Sequence, residues 1–255
     1  MTLAQKVRGA RRLADLTMRD LAALSDVSEA TISRIEAGRS VPLADAYLRI
    51  LRALGCNDVG DWLEPVSRPS AVWAARWLLG DLHDRPDGAD EWIEAWQKIG
   101  LVSTGLDVVD PETLAFRAGR AATLFGRPGT VTGLSRLLGT QIGSRLADAG
   151  VEHAVTGDEA LSRLGSAIVP VWPVVYVSDV RAACQALEIA PKLPDDSGPQ
   201  VSLVPFDGWS EAGRKQASDG LWLASPTQAL IDGYGGYGRM TQEAENVYRA
   251  SLKQR

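Results

Sequence analysis

The sequence is poor in metal ligands and thiols: its 255 residues include two cysteines, Cys56 and Cys184, and two histidines, His83 and His153. The cysteines lie far apart and form no Cys-x-x-Cys pair, which leaves too few neighbouring ligands for a structural zinc cluster. No metal and no cofactor is therefore expected. No apolar run approaches the roughly 20 residues of a membrane span. The early basic residues Lys6, Arg8, Arg11 and Arg12 are not followed by the apolar stretch of a secretion signal, so a cytoplasmic protein without a membrane partner is expected. What is present is ordinary globular composition, 45% hydrophobic and 23% charged with 25 Gly and 13 Pro, which excludes the disordered and collagen-like classes. The length suits one to two domains, each able to bury a core.

Charge is unevenly spread. The net charge is -5, yet residues 1–55 carry nine Lys/Arg against six Asp/Glu, which makes that segment +3 and the remainder -8. A basic segment on an acidic body fits a polyanion-facing module joined to one that is not; a chance excess of three charges fits as well.

From Leu3 to Gly55 the punctuation predicts four or five short helices. Thr17-Met18-Arg19-Asp20 has the form of a capping box, in which the Thr17 hydroxyl takes an orphan N–H and Asp20 reaches back. Leu21, Ala22 and Leu24 supply the inner face of the helix that follows, Val27 ends its turn, and Ser28 caps a second helix with Ile32 and Ile35 pointing inward. Gly38 stops that helix and Pro42 precedes the next, where Leu48, Ile50, Leu51 and Leu54 form an apolar stripe. A compact all-helical unit results.

These residues, Leu21-Ala22, Val27-Ser28, Ile32-Ser33-Arg34-Ile35-Glu36-Ala37-Gly38, Pro42 and Leu51-Arg52-Ala53-Leu54-Gly55, resemble the Xre or Cro/C1 phage-repressor type of helix-turn-helix. The resemblance implies double-stranded DNA as the partner; a helical bundle used for protein contact is the alternative. Helix geometry then places Ser28 to Ala37 in the major groove. Glu29, Ala30, Thr31 and Arg34 face the base edges: Arg34 as a fork for guanine, Glu29 as an acceptor for a cytosine amino group, Ala30 or Thr31 against a thymine methyl. Ser28, Arg39, Thr17 and Arg19 are the phosphate candidates. Arg19 also replaces a contact that the family commonly makes through Gln at the position held by Met18. Ser33 fits a base contact or a solvent- or phosphate-facing hydroxyl equally, and Glu36 is expected to pair with an arginine of its own domain. One such unit covers about half an operator, so a homodimer on a palindrome is expected.

Pro65, Ser67, Pro69 and Ser70 mark a boundary. Beyond it, Trp73/Trp77 and Trp92/Trp96 repeat at i,i+4 and predict two helices packed together around the turn at Asp87-Gly88. This is an ordinary buried hairpin or an aromatic surface for dimerisation or a ligand. Leu101 to Val109 could add a short strand pair, making the region a degenerate winged helix. Asp110-Pro111-Glu112 opens a further helix, Gly126 to Gly129 interrupt the chain, and Thr132 to Ala149 read as a helical pair. As a second helix-turn-helix that pair is set aside, because its recognition helix would carry one basic residue, Arg145.

After Gly150 strand and helix alternate. Strands are expected at Glu152–Val155, within Ile168–Val177, near Val201–Val204 and at Leu221–Ala224. Helices are expected from Thr156, over Asp179–Leu187, from Ser225-Pro226-Thr227-Gln228, and from about Thr241. His153-Ala154-Val155-Thr156-Gly157, Ala160-Leu161, Val174-Val175-Tyr176-Val177-Ser178-Asp179 and Leu223 to Asp232 resemble the AbiEi antitoxins of type IV toxin-antitoxin systems. That resemblance implies a nucleotidyltransferase-like fold, an autorepressing DNA-binding N-terminus and a neighbouring toxin that is itself a nucleotidyltransferase. Such antitoxins usually carry a winged helix where this chain has the Xre-type unit.

Nucleotidyl transfer needs a phosphate-holding turn and carboxylates on adjacent strands for two metals. Thr156-Gly157 could form the turn, but the strand that should carry Asp-x-Asp reads Val174-Val175-Tyr176-Val177. Asp158 and Asp179 read as helix-start residues, Asp195-Asp196 as a solvated loop, and Gly233 to Gly238 as a helix C-terminal turn rather than a phosphate loop. With no His-Glu zinc motif and no Gly-x-Ser-x-Gly, no catalytic residue is assigned.

The expected architecture is multidomain, α and α+β: residues 1–66 an all-α helix-turn-helix bundle, 67–109 a Trp-rich helical connector, and 110–255 an α/β nucleotidyltransferase-like domain without catalytic residues. The expected function is a dimeric repressor, autoregulating and antitoxin-like, with a cognate toxin as possible partner. Two alternatives stay open: a ligand-sensing transcription factor whose C-terminal domain binds a small molecule, and a nucleotidyltransferase-type enzyme with a DNA-binding head.

Overall fold

A computed structural model describes residues 1–191 and 199–252. The expected Asp195-Asp196 loop, with Pro194, Ser197 and Gly198, lies outside the described residues. The chain opens with four helices, α1 (Leu3–Leu13), α2 (Met18–Ser25), α3 (Glu29–Glu36) and α4 (Ala44–Leu54). Reciprocal capping boxes start two of them: Thr2 with Gln5, and Thr17 with Asp20. Asp26 turns the chain through the left-handed region at φ 51° before Ser28 caps α3, and Gly55, at φ 63°, ends α4. Val7, Leu21, Ile32, Ile35, Ile50 and Leu54 close a core of their own. Leu48 departs from its expected place and is 64% exposed. The inward stripe of α4 runs Tyr47, Ile50, Leu51 and Leu54, which is the i, i+3, i+4, i+7 spacing, and Leu48 falls off it.

A short hairpin, β1 (Cys56–Asp58) with β2 (Leu63–Pro65), follows and is tied back to the bundle. Lys6 Nζ donates to Asp58 (3.1 Å) and to the Gly60 carbonyl, and the Tyr47 hydroxyl donates to Asp58 at 2.6 Å. Tyr47, Lys6 and the Gly60 N–H together hold the Asp58 carboxyl down at about 2.

Helices α5 (Ser70–Leu78) and α6 (Ala89–Lys98) pack together as the tryptophan spacing predicts. Trp92 and Trp96 are buried with ring centroids 5.5 Å apart, while Trp73 and Trp77 are half-buried and Trp73 Nε1 donates to Asp207. The segment from Leu101 to Val109 contributes one antiparallel bridge, Val102 to Val108. Asp110 caps α7 (Pro111–Ala121), with Pro111 in its first turn.

The rest is a sheet with helices on both faces: β3 (Val131–Leu134), α8 (Gly139–Asp148), β4 (His153–Thr156), α9 (Gly157–Arg163), β5 (Val174–Val177), α10 (Val180–Ala186), β6 (Ala190–Pro191), β7 (Gln200–Pro205), β8 (Lys215–Gln216), β9 (Trp222–Leu223), α11 (Pro226–Tyr234) and α12 (Arg239–Leu252). The strand order is β6-β3-β7-β5-β4-β9-β8, with β5/β7 and β4/β9 parallel and the other pairs antiparallel. One expectation is corrected: Thr132 to Ala149 is a strand followed by a helix, not a helical pair. β-Branched Val131 and Thr132 pair with Leu203 and Ser202 of β7, and the Thr132 and Ser202 hydroxyls meet at 2.8 Å.

Alternation sorts the strand residues. Val155, Val175, Val177, Val201 and Leu203 pack with Ile142 and Leu146 of α8 and Ala183 of α10, whereas Ala154, Val174, Tyr176 and Val204 face Leu124 and Met240. On that second side α11 crosses α7 at Gly119, where any side chain would collide with the Ile231 carbonyl and the Gly235 nitrogen. Residues of α5, α6 and α7 share one core with Leu161, Ile231, Tyr234 and Ala244. The architecture is thus multidomain, α and α+β: a helical bundle with its own core, and a larger α+β body.

Candidate nucleic-acid interface

The site is built from two short helices and the turn between them. Burial of Ile32 and Ile35 fixes the rotation of α3, and the opposite face is forced outward. Glu29, Ala30, Ser33 and Arg34 are exposed on it, Thr31 is half-buried, and Ser28 is exposed at its start. Three of these are linked: the Ser28 and Thr31 hydroxyls meet at 2.8 Å, the Ser28 oxygen accepts the Thr31 N–H at 3.2 Å, and Arg34 Nη2 donates to Thr31 Oγ1 at 3.2 Å. The N-terminal N–H groups of α3 and a guanidinium one turn later present positive charge on an exposed surface, as a polyanion requires.

Thr17 and Arg19 lie at the start of α2, both exposed, with the Thr17 oxygen engaged by the Asp20 N–H at 3.0 Å. Arg39 is exposed just past α3, beyond Gly38 at φ 70°, and its backbone N–H caps the Arg34 carbonyl. No hydrogen bond among the described residues joins Thr17, Arg19 or the Arg39 side chain to α3; the shared bundle core positions them.

Glu36 is internal, as expected from sequence. It is 6% exposed and takes a two-pronged pair from Arg11, Nε to Oε1 at 2.7 Å and Nη2 to Oε2 at 2.9 Å, while Arg8 bonds its carbonyl. Lys6, Arg8, Arg11 and Arg49 are therefore occupied by pairs within the bundle. Arg12, Arg19, Arg34, Arg39 and Arg52 remain exposed without an ion-pair partner among the described residues.

Sequence reasoning missed how the body grips this unit. Arg117 of α7 donates to Asp20 at 3.0 Å, and Arg120 to the Leu13 carbonyl at 2.9 Å. Burial pushes the Asp20 carboxyl up, but the Thr17 cap and Arg117 outweigh it and leave the group below its ordinary value. Partners 97 and 107 residues apart carry no local signal.

A second missed constellation sits inside the body. Asp232 is fully buried and accepts from Arg127 (2.5 Å), Thr156 (2.7 Å), Tyr176 (2.9 Å) and Gln228 (2.8 Å). Gln228 in turn accepts from Arg76 (2.9 Å), a buried guanidinium that also reaches Asp81 and the carbonyls of Trp209 and Ala212. Burial pushes the Asp232 carboxyl up, against Arg127, Thr156 and Gln228. The only legible hint was helical spacing, since Gln228 and Asp232 stand four apart on α11. Asp179 caps α10 and Asp158 is buried in the first turn of α9. Among the described residues, no three His, Cys, Asp or Glu side chains gather as a metal ion would need, and no helix is long and apolar enough to cross a membrane.

Residues 2–61 match the family model described as a helix-turn-helix domain. No curated protein and no solved structure matches the chain. The matched span takes in all four bundle helices and β1, so the N-terminal unit is a helix-turn-helix domain, which implies DNA binding.

Proposed function

We propose that this chain is a sequence-specific transcriptional repressor in which residues 1–66 read DNA and 110–255 form the AbiEi-like body, with the helices of 67–109 linking the two and packed into the body's core. The observation that carries the proposal is the exposed face of α3, where Glu29, Ala30, Ser33 and Arg34 stand outward above a core fixed by Ile32 and Ile35. In this reading α3 enters the major groove, Arg34 forks onto guanine, and Ser28, Thr17, Arg19 and Arg39 hold phosphates.

One bundle covers half a site, so the protein acts as a homodimer on a palindrome. The body's resemblance to AbiEi antitoxins supports control of its own operon, a nucleotidyltransferase-like fold and a neighbouring toxin as partner. The body acts without catalysis: β5 carries Val174-Val175-Tyr176-Val177 where metal-binding carboxylates would stand, and the polar groups around Asp232 are turned on one another.

Binding-site selection with the full chain at fixed salt tests this. A palindrome with half-sites about 34 Å apart is the expected result. Recovery of no motif above background would refute it and leave the bundle as a protein-contact module.

A further inference from the structure

The helix-turn-helix unit and the body touch through polar contacts and enclose a cleft of about 720 Å³ between them. The contacts are Arg117 to Asp20, Arg120 to the Leu13 carbonyl, and Lys98 to Asp26 at 3.7 Å. Inside, the walls are largely apolar: Leu13 and Leu16 from one side, Trp92 and Trp96 from the other. The volume falls in the range of about 300 to 1,000 Å³ typical of small-molecule sites.

The charged part of the lining is mostly basic. Lys6, Arg68, Arg117 and Arg120 stand there against a single carboxylate, Glu64. Lys6 is engaged by Asp58, Arg68 stands 3.8 Å from Glu91 and Arg117 holds Asp20, yet both guanidiniums keep unmet N–H groups. Arg117 Nε and Nη1 and Arg68 Nε are buried, and among the described residues no acceptor reaches them. The Arg68 guanidinium lies 4.2 Å over the Trp92 ring, which places its charge beside the apolar wall. Buried charged N–H groups without acceptors are costly in a folded protein; these are closed off from the cleft as it stands, so an incoming anion satisfies them by drawing the guanidiniums toward it.

We propose that this cleft is the binding site for an amphipathic organic anion, its carboxylate or sulfonate held by Arg117 and Arg68 and its apolar body laid between Leu13, Leu16 and the Trp92–Trp96 pair. The site stands independently of the DNA reading; its consequence rests on that reading. One side of α1 walls the cleft while Arg8 and Arg11, also on α1, hold Glu36 at the end of α3. A wedge between unit and body resets the direction in which α3 points. In a dimer both recognition helices must meet half-sites at a fixed spacing, so ligand and operator are thermodynamically coupled.

The test uses the full chain and 8-anilinonaphthalene-1-sulfonate, with N-phenyl-1-naphthylamine as the same ring system lacking the sulfonate. One saturable site with energy transfer from tryptophan is expected, with the uncharged probe about tenfold weaker or worse, as loss of a charge-assisted contact implies. Arg117→Met should weaken the sulfonate by a similar factor and the uncharged probe little. Because Arg117 also holds Asp20, a second variant is needed: Gly9→Phe. A side chain at helical Gly9 meets nothing within 4 Å and projects into the cleft, so it should abolish binding of both probes without lowering the melting temperature. Equal affinity for the two probes, or wild-type affinity in Gly9→Phe, overturns the site. The sulfonate should also shift operator affinity at least several-fold in wild type and not in Gly9→Phe. Probe binding with unchanged operator affinity would overturn the coupling alone, and absence of any DNA binding would overturn the proposed function while leaving the site established.

Discussion

The two parts of the molecule use polar side chains in opposite ways. In the helix-turn-helix unit the caps are local, Thr2 with Gln5 and Thr17 with Asp20, each three residues apart, and the arginines unpaired there stand in solvent. In the body the decisive polar groups are buried and distant: Asp232 gathers Arg127, Thr156 and Tyr176 from 105, 76 and 56 residues away. A surface meant for an outside partner must keep donors unsatisfied by the protein, whereas a buried group without a partner destabilises the fold. The unit therefore keeps donors open to an outside partner, and the body gains a unique arrangement from what it closes.

The largest effect that could break this contrast is Asp232→Ala. It strands the buried Arg127 guanidinium and three further donors, which should cost about 3–5 kcal/mol. Urea unfolding followed by tryptophan fluorescence should show the body's transition shifted to lower denaturant. All eight tryptophans lie outside α1 to α4, so a hydrogen-exchange readout on α2 and α3 is needed for the bundle, whose amide protection should fall far less. Equal loss of protection in both parts would mean that they do not fold separately, and the comparison would fail.

The same contrast decides what could be read from the sequence. Helix starts at Thr17, Ser28, Asp110, Asp179 and Ser225 were legible because a cap and its N–H donor lie within three residues. Glu36 was legible as internal because it sits between helix end and bundle arginines. β3 was not: Val131-Thr132-Gly133-Leu134 lacks a pattern long enough to tell strand from helix, and only its β7 partner, about 70 residues on, settles it. Leu48 was misplaced because four close leucine and isoleucine positions overfill one helical stripe. Arg76, Arg117 and Arg127 gave no local signal of their burial, because their partners Gln228, Asp20 and Asp232 lie about a hundred residues or more away in sequence.

A binding experiment sharpens the open side of the comparison. Arg34→Ala should cost about 1–3 kcal/mol at one base position and relax the selected sequence there, whereas Arg39→Ala should weaken all sequences alike and reduce the salt slope by about one unit. Identical selection profiles for the two variants would remove the distinction between base-reading and phosphate-holding arginines. Next in size is the local cap. Thr17→Ala removes the oxygen that accepts the Asp20 N–H and should cost about 1 kcal/mol of bundle stability. Hydrogen exchange should place the loss in α2 and its neighbours, and a matching loss in the body would show that the largely buried Asp20–Arg117 link couples the two parts.

The smallest effect concerns pH and separates the two parts by composition alone, because both histidines, His83 and His153, lie outside the bundle. His153 is 4% exposed; Nδ1 lies 3.1 Å from the Val151 carbonyl, to which it donates, and no donor among the described residues reaches Nε2. Burial, with the nearby Arg214 charge adding to it, pushes the imidazole below its ordinary value. The folded ring thus stays neutral at acidities where the unfolded chain has already taken its proton. As pH falls below about 6.5 the unfolded state binds more protons than the folded one, so stability declines until the folded-state value is reached and is flat with respect to this group above about pH 7. His153→Phe keeps a planar ring and removes the titration. Urea midpoints of the body measured from pH 8 to pH 5 should therefore fall more steeply in wild type than in His153→Phe, with the two curves parallel above pH 7. Parallel curves across the whole range would show that His153 charges without penalty, and that the body's interior is less closed to solvent than its polar network requires.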